Sequence, residues 1–170
     1  MITEELNTEL FSSLDNVLSE LLTIIESLSE STLNTVPFRD SWTPAQLAAH
    51  VTKSNSSIVQ ALKMDAQPAK RDPGERVLEL KKTFLDFTTK FQSPDFILPT
   101  QTVYEKEFLV GKMKRSIEQL RKTGNEANLS DIISLPIFGE ITKLELLYFV
   151  LYHTKRHLHQ LKNIVRIIET

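Results

Sequence analysis

Four histidines are the residues of this chain best suited to bind a metal ion: His50, His153, His157 and His159. Cysteine is absent, which excludes a disulfide framework, a zinc finger and a thiol nucleophile. His153 and His157 are four residues apart and therefore lie one turn apart on the same face of a helix. Two imidazoles at that spacing can bind one ion, or can be two hydrogen-bonded histidines of a core.

The phase of the last predicted helix separates the histidines that it carries. At about 100° per residue, His153, His157 and Gln160 fall on an inward, largely apolar arc together with Phe149, whereas His159 falls on the polar side. Gln160 is predicted either to accept a hydrogen bond from a ligand histidine or to bond a backbone carbonyl where helices pack. The polar side is predicted to hold Glu145, Lys155, Arg156, Lys162 and Arg166.

His50 is the candidate third ligand. It lies at the border of the apolar stripe of the second predicted helix, close in angle to Ser54 and Ser57, whose small side chains leave space beside it. Taken alone, His50 would be interpreted as a histidine at the edge of the core. Three neutral imidazoles would leave coordination positions open, which is typical of a catalytic metal site rather than a structural one. Ser54, Ser57, Phe149 and Gln160 are the predicted pocket residues.

Helices must position these side chains. Four glycines are too few for the turns of a many-stranded sheet, and apolar residues recur with helical spacing through most of the chain. We therefore predict one all-α domain over residues 1–170, a four-helix bundle of about five helices with no strand. Residues 124–139 are predicted to be irregular. The predicted helices cover about 3–30, 43–64, 73–91, 102–122 and 140–168.

Charge and motifs exclude several classes of function. The formal net charge is −2, so no overall field attracts nucleic acid or an anionic membrane. The first ten residues are acidic, and the densest apolar run, 146–152, is far short of the roughly 20 residues that span a bilayer. A soluble cytoplasmic protein without nucleic-acid or membrane partners is predicted. The sequence has no His-Glu-x-x-His, P-loop or Gly-x-Ser-x-Gly motif, which disfavours zincin proteases, nucleotide hydrolases and serine hydrolases.

Two stretches resemble the DinB-like (YfiT-type) superfamily of metal-dependent bundle proteins: SWTPAQLAAHV at 41–51 and LPIFGEITKLELLYFVLYHTKRHLHQLKNI at 135–164. The resemblance implies a four-helix bundle with a divalent metal held by His50, His153 and His157. It also implies a homodimer and, from some relatives, transfer of low-molecular-weight thiols such as bacillithiol or mycothiol. We predict Zn or Ni as the ion, with Fe or Mn as alternatives; imidazole suits Zn, Cu, Fe and Ni.

Three functions follow from these observations. A divalent ion with an open coordination position can bring a thiol or a water towards ionisation near neutral pH, so a thiol S-transferase acting on small apolar electrophiles is the first hypothesis. A metal-dependent hydrolase needs the same ion and no thiol. The third hypothesis is a non-catalytic dimeric helical module. Catalytic residues stay unassigned because the sequence places no carboxylate beside the histidines; Asp131 and Glu140 only flank the last helix.

Overall fold

Four long α-helices form the body of the fold in the computed structural model, which describes residues 3–170. The predicted four-helix bundle is confirmed. The long helices are α1 (Glu4–Ser27), α3 (Pro44–Leu62), α5 (Lys106–Glu126) and α6 (Lys143–Glu169). Two shorter helices join them, α2 (Glu30–Leu33) and α4 (Val77–Leu85), and a 3₁₀ turn covers Asp95–Ile97.

The starts of the two helices that carry histidines are set by local sequence. The Thr43 side chain accepts from the N–H of Gln46 while the Gln46 side chain accepts from the N–H of Thr43, with Pro44 at the first helical position. Thr142 and Glu145 form the same reciprocal box at the start of α6. Each box satisfies amides that a helix end otherwise leaves unbonded, which fixes where the helix begins.

The first two long helices of the bundle do not lie side by side. α1 and α3 each pack mainly against α5 and α6 rather than against each other, so they lie on a diagonal of the bundle. α4 covers the outer side of α6. α6 is therefore in contact with α1, α3 and α4, and its apolar residues are buried on more than one side. This agrees with the prediction that α6 is a central helix.

The sequence predicted no strand, and that prediction was wrong. A small antiparallel sheet takes up part of the predicted irregular chain and the first three residues of the predicted last helix. The sheet has the order β1 (Gln67–Pro68), β2 (Asp131–Leu135), β3 (Gly139–Thr142). Ile133 pairs with Ile141, and both side chains are buried. Gly139 has φ +65°, a conformation that glycine adopts without a steric penalty. The hairpin leads directly into α6 and so fixes its start.

α4 is shorter than predicted, because it ends at Leu85 rather than near Phe91. The Asp86 carboxylate accepts hydrogen bonds from the N–H of Thr88 and from the hydroxyls of Thr88 and Thr89. Such local side-chain bonds compete with the helical backbone pattern and end the helix. α5 begins and ends about four residues later than predicted. Within residues 3–170, no helix is both long and apolar enough to cross a membrane.

Candidate metal centre

Three histidines converge at the contact between α3 and α6. The antiparallel packing of these helices brings His50 of α3 opposite His153 and His157, which are one turn apart on α6. The Nε2 atom of His50 lies 3.2 Å from that of His153 and 3.0 Å from that of His157, and the last two are 3.1 Å apart. The three residues are only 1%, 6% and 8% exposed. We call them the histidine cluster.

The other ring nitrogens determine which atoms face the middle of the cluster. His50 Nδ1 donates to the carbonyl of Ile97 at 2.9 Å, and His157 Nδ1 donates to Gln160 Oε1 at 2.9 Å. Because both Nδ1 atoms carry the proton, both Nε2 atoms present lone pairs. His153 Nδ1 is buried and has no hydrogen-bond partner among the described residues.

Burial keeps the cluster neutral. Loss of solvation lowers the pKa of His50 below 6.5 and lowers that of His153 well below it, and the neighbouring imidazoles lower the pKa of His153 further. Burial and the adjacent His50 lower the pKa of His157 to about 3, although its bond to Gln160 opposes the shift. No imidazolium is therefore present near neutral pH to bridge the nitrogens, and neutral imidazole is the form that binds metals.

This donor set fits a divalent cation. Two lone pairs that face each other at 3.0 Å, on His50 and His157, repel unless a cation binds both. Nitrogens at these separations can all lie about 2.1 Å from one point, which is the usual Zn–N distance. Among the described residues, no carboxylate shares the group that these histidines form. The set is therefore neutral and tridentate, and coordination positions remain for water or substrate.

Aromatic rings surround the histidine cluster. The Trp42 ring centroid lies 4.9 Å from that of His50, and the Phe149 ring stacks on His153 at 5.0 Å. Phe84 meets His153 edge-on at 6.1 Å and Phe149 at 5.1 Å. The cluster therefore lies in apolar, water-poor surroundings, which strengthen electrostatic interactions within it.

Comparison with known proteins agrees with this geometry. The family model of the DinB superfamily matches residues 13–161, which include all three histidines of the cluster. This chain belongs to the DinB superfamily. The DinB resemblance that the sequence motifs indicated is therefore confirmed.

Three similar proteins match over most of the chain. The uncharacterized protein YuaE from Bacillus subtilis (strain 168) is 27% identical over 154 residues, covering 85% of this chain and 90% of YuaE. The crystal structure of TT2238, a four-helix bundle protein, matches with a TM-score of 0.62 at 19% identity, over 92% of this chain and 98% of that one. YfiT from Bacillus subtilis is described as "a probable metal-dependent hydrolase with an unusual four-helix bundle topology". It matches with a TM-score of 0.64 at 14% identity, over 98% of this chain and 89% of YfiT.

The structure brings together some of the predicted pocket residues of this DinB chain and not others. Gln160 and Phe149 contact the cluster directly. Ser54 is buried and Ser57 half-buried, and the Ser57 hydroxyl donates to the Ser54 carbonyl; within residues 3–170, neither makes a hydrogen bond to the cluster. His159 is exposed, as its helical phase predicted.

Two residues assigned to the polar side of α6 are placed differently. The Glu145 side chain is completely buried and binds Arg71 through both oxygens, so its prediction as a solvent-facing residue was wrong. Arg156 is half-buried and packs over the chain that follows α4. In both cases residues distant in sequence cover a face that the helix alone leaves open. No local signal in the sequence indicated that Trp42 contacts His50.

Gln160 is expected to raise the metal affinity of the cluster. Its Oε1 accepts the Nδ1 proton of His157, which orients that ring and increases the basicity of Nε2. Gln160→Leu should weaken metal binding by roughly tenfold or more, measured by calorimetric titration. Gln160→Glu retains the acceptor and should retain the affinity. Equal affinity in wild type and Gln160→Leu would mean that Gln160 only fills space between helices.

Proposed function

We propose that this DinB protein is a divalent-metal-dependent enzyme that transfers a small thiol to an apolar electrophile, with the metal held by His50, His153 and His157. The observation that carries the proposal is the convergence of three neutral Nε2 atoms within 3.2 Å of one another. When bound, a divalent cation supplies positive charge that favours a thiolate or hydroxide over its neutral form.

Within residues 3–170, no carboxylate belongs to the histidine group, and this favours a thiol as the nucleophile. The buried carboxylate Glu145 accepts four hydrogen bonds, two from Arg71 and one each from the backbone N–H groups of Arg76 and Thr142. It therefore has no capacity left to take a proton from a substrate. A thiol, with a pKa of about 8.5, needs much less help to ionise than water does. The thiol proton passes to solvent, sulfur forms the new bond to carbon, and the leaving group departs with its electron pair.

The chain's own residues support an apolar electrophile. Trp42, Phe84 and Phe149 present rings beside His50 and His153. Such rings bind flat or apolar groups and keep water away from the reacting atoms. Sugars and nucleotides would need hydrogen-bonding groups, and the walls around the cluster are mainly aromatic carbon.

Hydrolysis is the second candidate function. It is favoured by the structural similarity to YfiT, which is described as a probable metal-dependent hydrolase. A hydrolase would use the same three histidines, with water in place of the thiol. The two functions differ in one measurable property, the dependence of turnover on added thiol.

Turnover of model electrophiles by metal-loaded protein tests the proposal. We expect monobromobimane or 1-chloro-2,4-dinitrobenzene to be consumed only when a thiol such as cysteine or dithiothreitol is present, above the rate without protein. His153→Ala should reduce the protein-dependent rate by at least about 100-fold, whereas His159→Ala is the matched control and should retain it. Turnover of ester or amide substrates without thiol would favour the hydrolase. Absence of turnover in every combination would favour the non-catalytic module.

A further inference from the structure

The chain between α4 and the 3₁₀ turn spans the histidine cluster from one side to the other. We call residues 86–97 the cover segment. Just before it, Phe84 lies edge-on to His153, with ring centroids 6.1 Å apart. At its end, the carbonyl of Ile97 accepts the Nδ1 proton of His50 at 2.9 Å. The chain at the start of the cover segment therefore contacts the cluster at a histidine of α6, and the end of the segment contacts it at the histidine of α3.

One side chain of α6 contacts the first half of the cover segment at several points. The Arg156 guanidinium donates through Nη1 to the carbonyls of Asp86 at 2.7 Å and Phe84 at 3.4 Å, and through Nη2 to the carbonyl of Thr89. It also lies 4.7 Å from the centroid of the Phe91 ring, a cation–π contact. Beside it, His159 stacks on Phe87 with ring centroids 4.1 Å apart.

The cover segment otherwise has few attachments. Within the described chain, residues 87–93 take part in no backbone–backbone hydrogen bond. Its three phenylalanines, Phe87, Phe91 and Phe96, are 45%, 47% and 61% exposed. A segment with exposed side chains and no backbone ladder opens at a lower free energy than the helices around it. The histidines between its two ends are more than nine-tenths buried, so a solute reaches them only when part of the surrounding chain moves.

We propose that the cover segment opens to admit small molecules to the histidine cluster, and that Arg156 is the positioning residue that holds it closed. Arg156 precedes His157 in the chain, so the closing contacts and the cluster share one rigid helix. The planar guanidinium is required because it bonds several carbonyls and stacks on a ring at the same time. The inference concerns access to the histidines and does not require that the metal be catalytic.

Carbethoxylation of the histidines in metal-free protein tests this directly. Diethyl pyrocarbonate modifies accessible neutral imidazoles, and mass spectrometry measures His50, His153 and His157 separately, with free N-acetylhistidine as internal standard. Arg156→Met removes all three bonds to the carbonyls, and we expect it to raise the modification rates of the histidines by at least roughly tenfold, the effect of losing a single charge-assisted bond. Arg156→Lys keeps the charge without the planar fork and should give an intermediate rate. Lys155→Met, an exposed neighbour on the same helix, is the control and should match wild type.

Two further measurements separate local opening from general loss of stability. Hydrogen exchange should become faster in Arg156→Met at the hydrogen-bonded amides of the cover segment, those of Thr88 and Ile97, and stay unchanged in α1. Phe91→Leu changes a different, exposed side chain of the cover segment and should also raise the modification rates. It keeps the test decisive if the Arg156 variants fail to fold. Unchanged rates in both variants, or equal acceleration of exchange in α1, would overturn the proposal.

Metal exchange supplies a readout that depends on the proposed metal site. Opening of a cover should raise both the association rate and the chelator-induced dissociation rate in Arg156→Met, and change the dissociation constant much less. A faster dissociation with an unchanged association rate would mean that Arg156 acts on the ligands and not on access, which contradicts the proposal. If no divalent ion binds wild type, the proposed function fails, while the carbethoxylation result still decides the role of the cover segment.

Discussion

Alanine in place of His153 or His157 is expected to abolish binding of one divalent ion per chain, while alanine in place of His159 leaves it intact. Each cluster histidine supplies one of the three nitrogens of the site. Within residues 3–170, no carboxylate belongs to this group, so none can replace a lost histidine ligand. Loss of a direct ligand should therefore exceed the roughly 10–100-fold effect of losing an outer hydrogen-bond partner. Elemental analysis and calorimetry on protein never exposed to a nickel column measure both stoichiometry and affinity.

Trp42 offers an independent signal for the same experiment. It is the single tryptophan of the chain, and its ring centroid lies 4.9 Å from that of His50. Binding of Ni²⁺ or Co²⁺ at the cluster should quench its fluorescence in wild type and His159→Ala, and not in His153→Ala or His157→Ala. Quenching that persists in His153→Ala, or folded wild type that binds no divalent ion, would refute the metal centre.

Helical phase made the inward pair predictable from sequence. His153 and His157 point into the bundle and His159 points away because side-chain direction in a helix follows from residue spacing alone. The Thr-Pro start of α3 is likewise local, since the cap residues contact amides three positions away. Features of this kind need no knowledge of the rest of the chain.

Features that depend on distant parts of the chain were not predictable in this way. The acceptor for His50 is a backbone carbonyl 47 residues later in sequence, on Ile97, and any residue type supplies a carbonyl. The β2–β3 hairpin was missed because Pro136 and its neighbours indicate a turn, and the four-residue strand after them is too short for a clear alternation. Glu145 was placed in solvent because nothing near it in sequence identifies Arg71 as its partner.

Glu145 is the centre of a buried polar cluster that attaches the start of α6 to the chain before α4. Its side chain is 0% exposed, and Arg71 binds its two oxygens at 2.7 and 2.8 Å. The N–H groups of Arg76 and Thr142 each donate to it at 2.9 Å. Burial raises the pKa of Glu145, but the bonds from Arg71 and from these two amides outweigh it, and the pKa lies below its ordinary value.

Glu145→Gln is therefore expected to destabilise the protein strongly. The variant leaves Arg71 with only the exposed Glu75 as an ion-pair partner and places an amide N–H₂ against existing donors. Removing one partner of a buried ion pair costs about 3–5 kcal/mol, and we expect about 3 kcal/mol because Arg71 is 24% exposed. That loss corresponds to a fall in melting temperature of roughly 6–12 °C for a chain of this size. The matched control is Glu79→Gln, whose side chain is 60% exposed and paired with Arg76; it should change stability by less than about 0.5 kcal/mol.

The difference between wild type and Glu145→Gln should also depend on pH. A carboxyl whose pKa is lower in the folded state stabilises the fold fully above its unfolded pKa of about 4.3, and this stabilisation is lost as the pH falls through the folded pKa. Urea unfolding at a series of pH values should therefore show a constant difference from pH 7 to about pH 5 and a shrinking one below. A Glu145→Gln protein as stable as Glu79→Gln at pH 7 would show that the bonds to Arg71, Arg76 and Thr142 merely offset the cost of burying the charge. A difference that persists undiminished in acid would instead trace the loss to packing, because protonation removes the same charge from wild type.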